Sequence, residues 1–211
     1  KGEDLDAVAY YLRADEACMT VSVVRGGKLI DQQHHLLDGV TGVGEDELLT
    51  SFLTQRYAQV GSPPRALLLP HAIIEGKLLE EWLTERGRRR VRLLVPRRGP
   101  KAELVAMTAD NARIYLEQTQ ARADEEARKA RAALAELADA LGLPEPPKRL
   151  ECYDISTLQG EDTVGSMVVF HDGLPAKAEY RRFKIRNTTG APDDYASMRE
   201  MLERRLGAAL M

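Results

Sequence analysis

Hydrophobic and polar positions change their period several times along the chain, and each change marks an element. Residues 6–12, 17–25 and 28–37 read as strands, with the two-residue period of half-buried sheet. Gly26-Gly27, between the last two, permits the positive φ that a tight hairpin turn needs. Residues 39–44 are punctuated by glycine and lead into Glu45-Asp46-Glu47, acids that suit a helix N-terminus through the backbone dipole. Leu48, Leu49, Phe52, Leu53 and Tyr57 then mark one helix face, which Gly61-Ser62-Pro63-Pro64 ends. Residues 66–69 read as a short buried strand and 75–86 as a helix with Leu78, Leu79, Trp82 and Leu83 inward. Residues 91–95 follow as another buried strand. A helical pattern rich in Ala, Glu and Arg runs from Pro100 to Leu141, with Leu134, Leu137 and Leu141 on one stripe. Gly142-Leu143-Pro144 stops it, and residues 144–147 form the clearest boundary in the chain.

Beyond that boundary the strand pattern returns. Residues 150–158 are strand formers with one bare carboxylate, Asp154, in the middle. A charge on an apolar strand is costly unless something pairs with it, and a metal ion is a common partner. Residues 162–170 read as a second strand, His171-Asp172-Gly173 as its turn and 178–186 as a third strand. A loop then leads to a helix opening at Asp193-Asp194. Three antiparallel strands with an acid on the first, then a helix, is how an RNase H-type nuclease fold begins.

Here the sequence resembles a known family. Glu151-Cys152-Tyr153-Asp154-Ile155-Ser156, Gln159-Gly160, Ser166-Met167-Val168-Val169-Phe170 and Tyr180-Arg181-Arg182-Phe183-Lys184-Ile185 precede Asp193-Asp194-Tyr195-Ala196-Ser197-Met198. In this order they look like the start of the endonuclease domain of the UvrC family, incision subunits of bacterial nucleotide excision repair. The resemblance implies a DNA endonuclease that hydrolyses a phosphodiester on the 5′ side of a lesion with Mg²⁺ or Mn²⁺. It implies damaged double-stranded DNA and UvrB as partners, and Asp154 as a catalytic, metal-binding residue. The family's other two ligands, an Asp and a His, would lie beyond Met211, as would its helix-hairpin-helix tail. Its GIY-YIG nuclease domain and UvrB-binding region are absent too. The expectation is therefore a fragment inactive by itself.

The element order before the boundary is also that of an RNase H-like domain. Laying Gly26-Gly27 over Asp172-Gly173 sets Asp154 opposite Val8 and Asp162 opposite Glu16. The expected fold is α/β, RNase H-like, a mixed sheet with flanking helices. Residues 1–142 are a degenerate copy that has lost its acid and ends in a linker helix; residues 148–211 begin the catalytic copy. A shared layout without common descent is the alternative. Where the family's active domain has a second aspartate, the first copy has Leu69-Pro70.

Other constellations are weaker. Asp193 and Asp194 read as a helix cap or the rim of a site. Arg182, Lys184 and Arg186 fall on one strand face, with Arg181 on the other, and suit contact with DNA phosphates or simply a solvated surface. The arginines of residues 86–98 admit the same two readings. His34 and His35 have no Cys or His at zinc-ligand spacing. No phosphate-cradling glycine loop or nucleophile elbow is present, which leaves nucleotide hydrolysis and acyl transfer unsupported.

With 211 residues, 44% of them hydrophobic, the chain can bury one large core or two small ones. A formal net charge of −3 argues against a protein that coats nucleic acid along its whole surface. Cys18 and Cys152, both in apolar strand patterns, suggest buried thiols in a reducing cytoplasm. No apolar run approaches the roughly 20 residues of a membrane span. The competing function is a non-catalytic DNA- or protein-binding module of a repair complex.

Overall fold

The computed structural model describes residues 2–60, 62–158, 162–186 and 193–207. It divides into two compact units, Lys1–Ala121 and Arg122–Met211, so the division falls inside the long helix rather than at the proline-rich break.

In the first unit, β1 (Leu5–Arg13), β2 (Glu16–Arg25) and β3 (Lys28–Asp38) form an antiparallel meander. The β2–β3 turn is closed by Gly26 and Gly27 at φ 58 and 78, as their sequence implies. α1 (Glu45–Gln59) then crosses to β4 (Ala66–Leu68), which pairs parallel with β1. α2 (Gly76–Gly87) leads to β5 (Arg92–Leu94), parallel with β4. The sheet order is β3-β2-β1-β4-β5, with α3 (Pro100–Leu141) following.

Strand alternation sends two sets of side chains to opposite faces. Val8, Met19 and Val21 pack with Leu49, Leu53 and Tyr57 of α1 and Leu83 of α2. Ala7 and Ala9 face the other way, in a cluster that holds Val105 of α3. Alanines on that face let the helix approach the sheet closely. Its seam is polar but satisfied: Thr108 donates to Leu104 O at 2.7 Å, so Ser22 supplies the proton of the 2.8 Å bond between their hydroxyls. Two expectations shift here. Leu78 is exposed rather than inward, and β5 is a short edge strand with Arg92 in solvent.

In the second unit the rest of α3 buries Leu134 and Ala138, while Leu141, expected on the buried stripe, is exposed. β6 (Arg149–Leu158) pairs antiparallel with β7 (Asp162–His171). The strand expected over 178–186 is split. β8 (Leu174–Pro175) and β9 (Arg181–Lys184) both pair with β7, and a 3₁₀ turn at Lys177–Glu179 separates them. Pro175 has no N–H to extend the ladder, and the chain leaves the sheet for that turn before returning. α4 (Asp194–Leu206) covers one face of this sheet. Its Met201 sits directly over Gly165 of β7, a position with no room for a Cβ.

Candidate active site

Asp154 lies in the middle of β6, directly opposite Ser166 of β7, and Ser166 is in turn opposite Arg182 of β9. Period two separates the strand's side chains: Glu151, Tyr153 and Ile155 are half-buried, whereas Cys152, Asp154 and Ser156 are exposed. Carboxylate, hydroxyl and guanidinium thus form a row across three strands, and Ser156, Val164 and Lys184 form the next row. Opposed Cβ atoms on neighbouring strands are about 5 Å apart, so each row presents a continuous edge of polar groups. Two expectations are corrected by this geometry. Asp154 is not a charge stranded on an apolar strand; it is in solvent and accepts from Ser156 Oγ at 3.1 Å. Cys152 is exposed, while Cys18 is buried, and both are free thiols.

The other expected site residues fall into place separately. Arg182 and Lys184 are exposed on the Asp154 face, and Arg186 lies past the end of β9. The Arg186 backbone N–H donates to the Glu200 carboxylate at 3.1 and 3.2 Å, tying this end of the strand to α4. Asp193 caps α4: its side chain accepts from Ala196 N at 3.0 Å, satisfying an amide that the helix leaves unpaired. Asp194 is exposed in the first turn of that helix.

On the opposite face, β6 is anchored by a network that sequence reasoning missed. Glu151 accepts from Arg205 of α4 at 2.6 Å, from Arg149 at 2.7 Å and from the Tyr153 hydroxyl. The Arg205 hydrogen bond leads in holding the Glu151 carboxyl down to about 2, with Tyr153 and Arg149 adding to it against the opposing effect of burial. Arg149 also reaches Glu179 at 2.5 Å, which links the 3₁₀ turn to the start of β6. The only signal in the sequence was Glu151 beside Asp154; its partner Arg205 is 54 positions away.

Among the described residues, no group of three or more His, Cys, Asp or Glu is placed to hold a metal ion. A hard divalent cation takes six or more oxygens, several of them from carboxylates or water. Asp154 with its neighbouring hydroxyls fits one ligand of such a site and not the site itself.

The first unit has the same row in another chemistry. With the β2–β3 turn laid over the β7–β8 turn, Thr20 corresponds to Ser166. Thr20 pairs with Ala9 and with His34. Asp154 therefore corresponds to Ala9 and not to Val8. The shift arises because Ala14-Asp15 joins β1 to β2, whereas 159–161, outside the described residues, join β6 to β7 with one residue more. Ala9 and Thr20 are fully buried, Thr20 Oγ1 lies 2.9 Å from His34 Nδ1, and the His34 ring stacks on Tyr115 of α3.

Comparison with known proteins decides the relationship. A family model described as the UvrC ribonuclease H-like domain matches residues 4–119, and a second, the UvrC RNase H endonuclease domain, matches residues 138–211. The chain belongs to the UvrC family. Both matches carry the RNase H-like fold, and the mixed sheet and flanking helices agree with it. The chain is similar to the UvrABC system protein C of Acetivibrio thermocellus, 40% identical over 98% of this chain and 33% of that protein. Those of Desulforudis audaxviator and Caldanaerobacter subterraneus are 46% and 44% identical over 98% and 99% of the chain, again 33% of their own length. The chain thus spans about a third of the curated relatives it matches. A Ppx/GppA-family structure from Aquifex aeolicus aligns over 98% of the chain at 13% identity, but its TM-score of 0.21 carries no argument.

Proposed function

We propose that this UvrC-family chain belongs to a DNA endonuclease of nucleotide excision repair that cuts damaged double-stranded DNA on the 5′ side of a lesion. The observation that carries the reading is the solvent-facing row of Asp154, Ser166 and Arg182, in a stretch matched by the family's endonuclease model. Asp154 is proposed as one ligand of Mg²⁺ or Mn²⁺, the remaining ligands coming from outside the described residues. The metal, when bound, supplies an activated water and neutralises charge on the phosphate. Arg182 and Lys184, on the face of Asp154, and Arg186 beyond them hold the DNA backbone by its phosphates without reading sequence. Asp193 serves the fold as a cap, and Asp194 stands at the rim.

The first unit is proposed as the degenerate, non-catalytic copy, since an alanine stands where Asp154 stands in the second. UvrB is the proposed partner that brings the protein to damaged DNA. No helix among the described residues is long and apolar enough to cross a membrane, and a cytoplasmic location is part of the same proposal.

The test is a lesion-bearing duplex incised by the full-length protein, loaded by its upstream repair proteins, with Asp154→Asn beside wild type. Loss of the 5′ nick alone, with the 3′ nick retained, is the expected result. Equal 5′ nicking by both proteins removes Asp154 from catalysis. It would favour the reading of a binding module, which the single carboxylate among the described site residues already suggests.

A further inference from the structure

A cleft of about 640 Å³ opens in the first unit on the α1 face of the sheet, between α1 and β3. It is the opposite face from the one carrying Ala9 and His34, and no motif in the sequence pointed to it.

At its base is a buried ion pair. Asp6, 2% exposed, accepts from Arg25 Nη1 at 2.6 Å and from the Tyr57 hydroxyl at 2.7 Å. Arg25 Nη1 is shared further with the carbonyls of Leu5 and Val24, so this guanidinium is both neutralised and engaged. Arg56, one residue before Tyr57, is in a different state. Its Nη1 lies 3.3 Å from His35 Nε2, and its Nε is shut off from solvent with no hydrogen-bond partner among the described residues. No carboxylate among the described residues forms an ion pair with it. Burial and the neighbouring Arg56 charge both lower the His35 pKa, so its neutral ring is the acceptor and adds no second cation.

A dehydrated guanidinium N–H without an acceptor is an unusual thing for a folded protein to keep, because the group loses water and gains nothing for it. Gln33, Gln55 and Gln59 edge the same cleft and offer both donors and acceptors. Asp31, at the rim, already accepts from Gln33 Nε2 at 2.5 Å and from Gln32 N at 2.8 Å. Ile30 is carried outward by the register shift opposite Val23 and Val24 and is 62% exposed, an apolar patch beside a polar cleft.

We propose that this cleft binds an acidic peptide segment of a partner protein, with one Asp or Glu carboxylate paired to Arg56. The glutamine amides hold the peptide backbone, and Ile30 packs on its neighbouring side chain. Two observations favour a peptide over nucleic acid. Backbone binding to DNA rests on several unpaired cations along an open surface. Here two acids offset the two guanidiniums, so the cleft exerts no long-range pull on a polyanion. Its concavity admits one side chain, and a planar guanidinium fork matches one carboxylate.

The proposal is tested on this 211-residue chain by following the Arg56 Nε–Hε resonance while acetyl-Glu-Glu-Glu-amide is added. Acetyl-Gln-Gln-Gln-amide, inorganic phosphate and a short DNA duplex serve as the other arms. A saturable shift with the glutamate peptide alone is expected, weakened at least tenfold in Arg56→Gln and only partly in Arg56→Lys. Gln55→Glu, which places a like charge at the mouth, gives the same readout should Arg56→Gln fail to fold, and must also weaken the peptide. No shift with the glutamate peptide overturns the proposal. So does an equal response to the glutamine peptide, phosphate or duplex, or full binding by Arg56→Gln.

Discussion

Ala9, Thr20 and His34 hold in the first unit the sheet positions that Asp154, Ser166 and Arg182 hold in the second. The backbone ladder is the same, and what lies over it is not. In the first unit α3 closes this face: Val105 packs with Ala7 and Ala9, Thr108 bonds Ser22, and Tyr115 stacks on His34 at 4.2 Å. In the second, Asp154 and Arg182 are exposed. One sheet can thus serve as core or as reactive surface, and the difference lies in whether the middle row carries groups that tolerate burial. Ala9 and Thr20 do, the latter because His34 satisfies its hydroxyl; a carboxylate at position 9 would not.

The largest expected effect comes from exchanging the chemistry of these rows. Ala9→Asp puts an unpaired charge at a fully buried site and should cost about 3–5 kcal/mol, enough to unfold the first unit in urea titration. Asp154→Ala, in solvent, should stay within about 0.5 kcal/mol of wild type by the same measurement. Equal costs would break the comparison.

Next is the helix-covered face, where the units fill space differently. β2 carries buried Met19 at the position that Gly165 takes in β7, where Met201 descends from α4 instead. Gly165→Val should overpack this contact by about 1–3 kcal/mol, read as a lower midpoint of the second unit. Adding Met201→Ala should recover part of the loss.

A smaller effect concerns pH. Glu151→Gln should cost about 1–2 kcal/mol at pH 7, since it loses the charge-assisted bonds from Arg205 and Arg149. The sign follows from a folded-state pKa held down to about 2 by those bonds, below the ordinary carboxylate value. The stabilisation is complete above the unfolded pKa near 4.3 and disappears as pH falls toward 2, so the wild-type advantage over Glu151→Gln should close across that window. A gap unchanged from pH 7 to pH 2 would contradict the network.

The smallest effect is expected from Arg182→Ala. It should weaken duplex binding a few-fold, reduce the slope of affinity against salt by about one, and leave stability unchanged.

Much of the architecture was legible because period and punctuation agree. Gly26-Gly27 closes its hairpin, Leu49, Leu53 and Tyr57 line the inner face of α1, and α3 runs from Pro100 to Leu141 as its pattern implies. What failed depended on parity and on distant partners. Counting from the wrong hairpin end set Asp154 opposite Val8, and one extra residue in the β6–β7 connection moves it to Ala9 on the other face. The strand over 178–186 alternates convincingly but is shortened by the turn at Lys177–Glu179. Leu78 and Leu141 fit apolar stripes and face solvent because nothing in their units packs over them. At the site, Asp154 was legible through its flanking motif, and the capping role of Asp193 through its residue type. The Glu151–Arg205 pair and the Arg56 cleft were not, since each joins residues that only the fold brings together.

The central claim is that the row on β6, β7 and β9 serves a metal-bearing site while its counterpart on β1, β2 and β3 does not. Full-length protein loaded with Fe²⁺ in place of Mg²⁺ and treated with ascorbate and peroxide generates radicals that cut the backbone beside the bound metal. The account predicts cuts near Asp154 and Ser166, suppressed by excess Mg²⁺ and absent in Asp154→Ala, with none near Ala9 or Thr20. Cuts that persist in Asp154→Ala, or that fall equally in both units, would contradict it.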